Sequence, residues 1–278
     1  ALQAAECLEV EYEEYPAVTS LLEATEPEAP LLCSDLPDNI AASETLGNQQ
    51  EVEEIFSNAH HVTRMELINN RLVGSPLEPR GLICDIDPDD GKLILHASHQ
   101  SATRLHGSLC SIFKFQPEQL RVKVGDVGGG FGTKVAIYPE DILVVYATKK
   151  LNRPIKWTAT RTEEFQASVH GRDHMNVAEL ACDPEGRIQA LSVKTLANTG
   201  AYLINPALLI PLGLMSKVIT SVYDIPSIYL ETRCVLTNTA PIGAYRGAGR
   251  PEGIYPIERL IDMTAREMGI DPVIIRKR

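Results

Sequence analysis

Two glycine-rich stretches carry the residue types best suited to chemistry. Residues 125–134 read GDVGGGFGTK, with Gly128, Gly129 and Gly130 running into Phe131 and Gly132. Glycine loses backbone entropy on folding and gives a core nothing to pack. Such a run therefore marks either a tight turn at positive φ or a backbone that something approaches closely. Residues 243–253 read GAYRGAGRPEG, a second turn with Arg246 inside it. A guanidinium offers planar donors to an anion or oxo group, and flanking glycines let backbone amides reach the same ligand. Two such loops can build one site for a large, polar, anionic cofactor. Neither nucleotide fingerprint fits: no register of GDVGGGFGTK gives the phosphate-loop spacing, and G-x-G-x-x-G fails at Thr133.

The elements that must position these loops alternate in type. LEVEYEEY, at about 7–15, reads as a strand, and the Pro- and acid-rich residues after it as a linker laid over a surface. EVEEIFSNA is a short helix and HHVTRMELINN a strand. GLICDIDPDDGKLILHAS is a hairpin around DPDDG. Residues 101–113 suit a helix, QLRVKVGDV is the strand that delivers the glycines, and PEDILVVYATKK follows as a helix with Pro first. RPIKWTATR, HMNVAELACD, IQALSVKTLANTGAY and ETRCVLTN are strands. GIYPIERLIDMTAREMG spaces its apolar residues at helical period and stops at Gly269. Mixed elements without a strict βαβ beat predict an α+β fold.

Composition excludes other readings. The chain has 278 residues, 44% apolar, enough for a substantial core. Its 26 basic and 37 acidic residues give a net charge of −11, which argues against nucleic acid and anionic membrane as partners. AYLINPALLIPLGLM, residues 201–215, is interrupted by two prolines and is shorter than the ~20 residues of a membrane span. It is expected to be buried or to line a pocket. Six dispersed cysteines with no CxxC predict neither iron–sulfur nor structural zinc ligands, so no metal-ligating residue is assigned. His60 and His61 precede a strand, and His170 and His174, although spaced i, i+4, lie in a loop leading into a strand and not on the helix that such a ligand pair requires, which argues against a metal role for them too. Glu78 and Arg80 in PLEPRG are expected to form structural ion pairs or hold a loop. No basic-then-apolar signal segment opens the chain, which points to a cytoplasmic protein with reduced thiols. The opening lacks Met and enters a strand directly, as a fragment or processed chain would.

GDVGGGFGTK, AYRGAGRPE and SPLEPRG (75–81) together resemble the molybdenum hydroxylases, the family of xanthine dehydrogenase, aldehyde oxidase and the large chain of aerobic carbon monoxide dehydrogenase. The resemblance implies that residues 1–18 end a preceding small domain, 19–50 are a linker, and 51–278 form the first molybdopterin-binding domain of a catalytic subunit. It implies a molybdenum–molybdopterin cofactor in its cytosine dinucleotide form, with iron–sulfur and FAD groups on partner chains. It also implies a second molybdopterin-binding domain or subunit, supplying a glutamate base outside these residues. The reaction implied is oxidation of an aldehyde or N-heterocycle with water as oxygen source. Gln100, the candidate catalytic residue, lies where the family places a glutamine that hydrogen-bonds an oxo ligand of molybdenum. Gly129, Gly130, Phe131 and Gly132 match the loop whose backbone approaches the metal and its dithiolene, so the glycines are expected to make room for the cofactor. Arg246 matches an arginine of the same pocket.

Departures from the pattern bear on substrate. Val135 stands where xanthine dehydrogenases have a glutamate, and Ala248 where they have a phenylalanine, which disfavours purines. Gly247 and Ala248 occupy the loop where copper-containing carbon monoxide dehydrogenases have a cysteine, leaving a relative without that residue as an alternative. A non-catalytic scaffold that keeps the fold is the other alternative.

Overall fold

The computed structural model describes residues 2–36 and 38–278. After a four-residue helix, α1 (Leu2–Ala5), the chain runs extended to residue 20 without strand pairing. LEVEYEEY is thus not a strand: Leu8, Val10, Tyr12 and Tyr15 all face solvent. Alternation makes an amphipathic ribbon, but strand structure also needs a neighbouring backbone for its N–H and C=O groups, and none lies beside it among the described residues. The following stretch does lie over a surface. Val18, Leu21 and Ala24 are buried against Val235, Met175 and Leu196.

Residues 40–47, read as the tail of the linker, instead form β1 (Ile40–Gly47). IAASETLG has a weak strand signal, and pairing along its length with a later strand supplies the structure. Then come α2 (Gln49–Asn58), capped by Asn48, β2 (His61–Asn69) and β3 (Leu72–Val73). The hairpin is β4 (Gly81–Ile86) and β5 (Leu93–Ala97). Next are α3 (Ala102–Phe113), capped by Ser101, β6 (Leu120–Lys123) and α4 (Pro139–Leu151) with Pro in its first turn. β7 (Ile155–Thr158) precedes α5 (Arg161–Ala167), a helix the sequence reading passed over although Thr160 and Glu163 form a capping box. The chain closes with β8 (His170–Gly171), β9 (His174–Cys182), β10 (Ile188–Gly200), β11 (Ser227–Leu236), α6 (Arg250–Met268) and α7 (Pro272–Ile275). Gly269 ends α6 in the left-handed conformation.

The strands form two main sheets, as an α+β fold requires. One has the order β1-β11-β10-β9-β2, antiparallel except for the parallel β10–β11 pair, and the other the order β6-β5-β4-β7. Parallel pairing demands a long crossover. Residues 201–226 provide it, including a π-helical turn, Leu209–Met215, that buries Ile210, Pro211 and Met215 but leaves Leu209 exposed. Each sheet has its own core. On the larger, α6 lays Ile257, Leu260 and Ile261 on Leu180, Leu191 and Leu230; on the smaller, α3 and α4 lay Leu105, Leu109 and Val145 on Cys84 and Leu95. Each such buried aliphatic side chain contributes ~1.5–3 kcal/mol. A separate two-stranded ribbon is formed by β3 and β8, and residues next to it or in it meet both glycine loops, Gly74 beside Thr133 and Gly171 beside Tyr245.

Candidate functional site

The first glycine loop leaves β6 and is held from the side by Glu78. The Gly128 N–H donates to Glu78 Oε2 at 2.8 Å, and the Glu78 N–H returns to the Gly128 carbonyl at 3.2 Å. The same Oε2 accepts from Lys134 Nζ at 2.8 Å and Ser98 Oγ at 2.6 Å. Lys134 is fully buried, so its charge needs this partner. Partial burial pushes the Glu78 carboxyl up, but the bonds from Lys134, Ser98 and Gly128 outweigh it and bring the pKa down to about 2. Arg80 does not pair with Glu78. It binds Glu164 at 3.0 Å and Glu140 at 3.1 Å and lies over the Tyr138 ring, so both residues of PLEPRG secure loops, through separate partners.

Gln100 sits between β5 and α3. Its backbone N–H donates to the Lys134 carbonyl at 2.8 Å, and its Oε1 accepts from the Gly132 N–H at 2.8 Å. That bond fixes the amide orientation, because only the oxygen can accept from an N–H. The Nε2 hydrogens are left without an acceptor among the described residues, on an exposed side chain.

The glycines make room first for the protein's own groups. A Cβ on Gly130 would stand 2.6 Å from the Gln100 carboxamide, and one on Gly128 2.5 Å from Glu78 Cβ. Gly132, at φ +103°, would drive a Cβ into the Ala244 carbonyl of the second loop. The expectation that these positions are open for a cofactor is corrected to this extent. What they present outward is N–H: those of Gly130 and Phe131 have no acceptor among the described residues, and Phe131, exposed and at φ +52°, completes the turn.

The second loop is fastened by Arg172, which the sequence reading overlooked. Its Nη2 donates to the Arg246 carbonyl at 2.6 Å and its Nη1 to Glu252 Oε1 at 2.9 Å, while its guanidinium lies over the Tyr245 ring. Both Arg172 and Glu252 are buried, and Glu252 Oε2 has no partner among the described residues. The arginine in SVHGRDH and the acid in GRPEG were the available signals, but nothing local links residues this far apart. With its carbonyl held from behind, Arg246 is exposed, and its guanidinium has no hydrogen-bond or ion-pair partner among the described residues. Gly249, at φ +86°, lets the loop back onto Leu214 and Met215.

Residues 33–278 match the profile of the molybdopterin cofactor-binding domain. This chain belongs to that family, within the molybdenum hydroxylases. It is 32% identical to the carbon monoxide dehydrogenase large chain of Hydrogenophaga pseudoflava, over the whole of this chain and 36% of that one. It is also 32% identical to the nicotine 6-hydroxylase large subunit of Paenarthrobacter nicotinovorans, over 90% of this chain and 31% of that one. The crystal structure of quinoline 2-oxidoreductase from Pseudomonas putida 86 superposes with a TM-score of 0.93 at 34% identity, covering all of this chain and 35% of that one. The chain therefore spans about a third of the length of these relatives.

The donor set fits the family's cofactor. Gln100 Nε2, the free N–H groups of Gly130 and Phe131, those of Arg246 and Gly247, and the Arg246 guanidinium are all donors, on two loops in backbone contact. A phosphorylated, oxo-bearing group calls for such donors. Val135 is half-buried in a cleft of about 130 Å³ with His99, Arg104, Leu105, Ser108, Ile137 and Asn205; Ala248 is not among its lining residues. The other histidines lie elsewhere. His174 is fully buried, its pKa driven down to about 4 by burial and then by Arg172, and His61 meets Glu267 at 2.8 Å on the far sheet. No group of three or more His, Cys, Asp or Glu among the described residues is placed to hold a metal ion. No helix among the described residues is long and apolar enough to cross a membrane.

Proposed function

We propose that this chain is the part of a molybdopterin-dependent hydroxylase or dehydrogenase that grips the cofactor from one side and presents a donor toward the reacting centre. The observation that carries this reading is the Gly132–Gln100 bond. It commits the carboxamide oxygen to the protein and turns the Nε2 hydrogens outward. Gln100 then donates to an oxo-type acceptor, while the free amides of Gly130 and Phe131 and the Arg246 guanidinium hold the anionic pterin. When bound, the cofactor supplies the two-electron oxidation of the substrate, with water as the oxygen source. Val135 places an apolar surface where a carboxylate would anchor a purine, and Ala248 widens the space beside Arg246. Both favour an aldehyde or an N-heterocycle.

The remaining assignments belong to the same proposal. Residues 1–18 end a preceding domain, and the cofactor-binding unit proper follows the stretch laid on the large sheet. A second molybdopterin-binding unit supplies the base, and iron–sulfur and FAD chains carry electrons away. The pterin takes the cytosine dinucleotide form, and the assembly works in the cytoplasm, where its six unpaired cysteines stay reduced.

The test is metal and nucleotide analysis of the full-length protein purified with its partners, followed by a turnover screen over aldehydes, N-heterocycles and carbon monoxide. Stoichiometric molybdenum, released cytidine nucleotide and oxidation of one substrate class are expected. An intact assembly without molybdenum or pterin overturns the proposal.

A further inference from the structure

We infer that His99 is a positioning residue for Gln100, acting through a fixed tautomer that ties the Gln100 segment to the chain leaving the glycine loop. The His99 ring is buried and makes two hydrogen bonds of opposite sense. Its Nδ1 accepts from the Ser101 N–H at 2.9 Å, and its Nε2 lies 3.3 Å from the Ala136 carbonyl. An N–H can only donate and a carbonyl can only accept, so both bonds exist together only in the neutral ring with the proton on Nε2. Burial, which pushes the His99 pKa down, favours the same neutral form.

The consequence falls on the residue between. Gln100 is stitched to residues 132–134 by its own N–H to Lys134 and its Oε1 from Gly132. His99 and Ser101 flank it, and the ring clips that flank to Ala136 in the same segment. Ser101 is also the cap of α3, accepting the Arg104 N–H, so the ring sets where α3 starts relative to the glycine loop. Without the imidazole, the backbone at Gln100 keeps one anchor to the segment instead of two. A carboxamide that must aim its Nε2 at a fixed point tolerates little freedom there, since a displacement of ~1 Å at a reacting group can lower the rate about 100-fold.

The inference rests on Gln100 being the outward donor, and its test separates the two ideas. In the full-length protein with its partners, His99→Ala is expected to keep molybdenum and pterin content while lowering kcat about 10- to 100-fold with KM within about twofold. A crystal structure of the variant is expected to show Gln100 Oε1 released from the Gly132 N–H, a readout independent of turnover. His99→Gln, whose Nε2 can still donate to the Ala136 carbonyl, is expected to restore most of kcat by keeping the clip to that segment. His99→Asn, whose Oδ1 falls near the Nδ1 position and reaches only Ser101, is not. If His99→Ala does not assemble, the Asn and Gln variants decide by the same contrast. Wild-type kcat in His99→Ala, equal impairment by Asn and Gln, or an unmoved Gln100 in the crystal overturns the inference. Full activity in Gln100→Ala instead overturns the functional reading of Gln100 and leaves the crystallographic test of His99 standing.

Discussion

Gly132 and Ala244 meet backbone against backbone. The Ala244 carbonyl occupies the space that a Cβ on Gly132 would need, and the Gly132 N–H on the other side holds Gln100. One residue thus joins the two glycine loops and aims the donor. Gly132→Ala adds a methyl at φ +103° against a backbone atom that has no rotamer to escape into. We expect a loss of at least ~2 kcal/mol in denaturant unfolding, with cofactor content falling in parallel. Gly107→Ala is the control. Gly107 is inside α3 with nothing near its Cβ position, and the change is expected to stabilise by about 0.5–1 kcal/mol. Equal effects at the two sites would remove Gly132 from its place in the argument.

Gln100→Leu keeps the approximate volume and removes both the acceptor for Gly132 and the outward donor. Loss of a single preorganised donor to developing charge typically costs about 100-fold in kcat, and that is the drop expected, with molybdenum content retained. A fall in molybdenum content with turnover per molybdenum unchanged would recast Gln100 as a cofactor anchor.

How far the site was legible depends on sequence distance. The hairpin β4–β5, the ends of α4 and α6, and the density of glycine at both loops are written in adjacent residues, so local chemistry reveals them. LEVEYEEY shows the limit of that logic, since its alternation is real but its partner is absent. β1 shows the converse, a weak pattern made into a strand by pairing with residues almost 190 positions on. The groups that fill the glycine loop are likewise non-local. Glu78 reaches Lys134 across 56 residues, and Arg172 reaches Glu252 across 80. Glycine density tells of close approach; only the fold tells that Glu78, Gln100 and Ala244 are what approaches.

Acid should act on the first loop through Glu78. Its pKa in the fold, about 2, lies below the ordinary 4.5, so the stabilisation it gives is complete above pH 4.5 and is lost as pH falls from there toward 2. Glu78→Gln removes that contribution. The gap in denaturation midpoint between native protein and variant is therefore expected to be widest at neutral pH and to narrow between pH 4.5 and 2. A gap that stays constant across this range would show that the carboxylate charge does not hold Gly128 and Lys134.

The Arg172–Glu252 pair separates stability from function. Removing one buried partner strands the other, and Arg172→Met is expected to cost about 3–5 kcal/mol. Arg172→Met combined with Glu252→Leu leaves no stranded charge and should recover much of that loss. The Arg246 carbonyl stays unheld in both, so cofactor retention is expected to remain low in the double variant even where its unfolding midpoint returns. Retention that tracks stability across the set would mean that the pair serves folding alone.

Arg246 is the residue where the cofactor reading meets its plainest check. Its side chain is exposed and has no partner among the described residues, so the fold gains little from it, and Arg246→Ala is expected to change unfolding free energy by no more than about 0.5 kcal/mol. The backbone beneath it is held in place by Arg172, a rigid seat for a side chain that the protein itself does not use. Charge-assisted hydrogen bonds to an anionic cofactor are worth roughly 1.5–3 kcal/mol, so the variant should release pterin about 10- to 100-fold more readily. Arg246→Lys keeps the charge but not the planar fork and should fall between. The measurement is pterin and molybdenum remaining on the full-length protein after dialysis against chelator, alongside thermal unfolding. Full retention in Arg246→Ala at unchanged stability would place the anion elsewhere and leave the second glycine loop without a ligand.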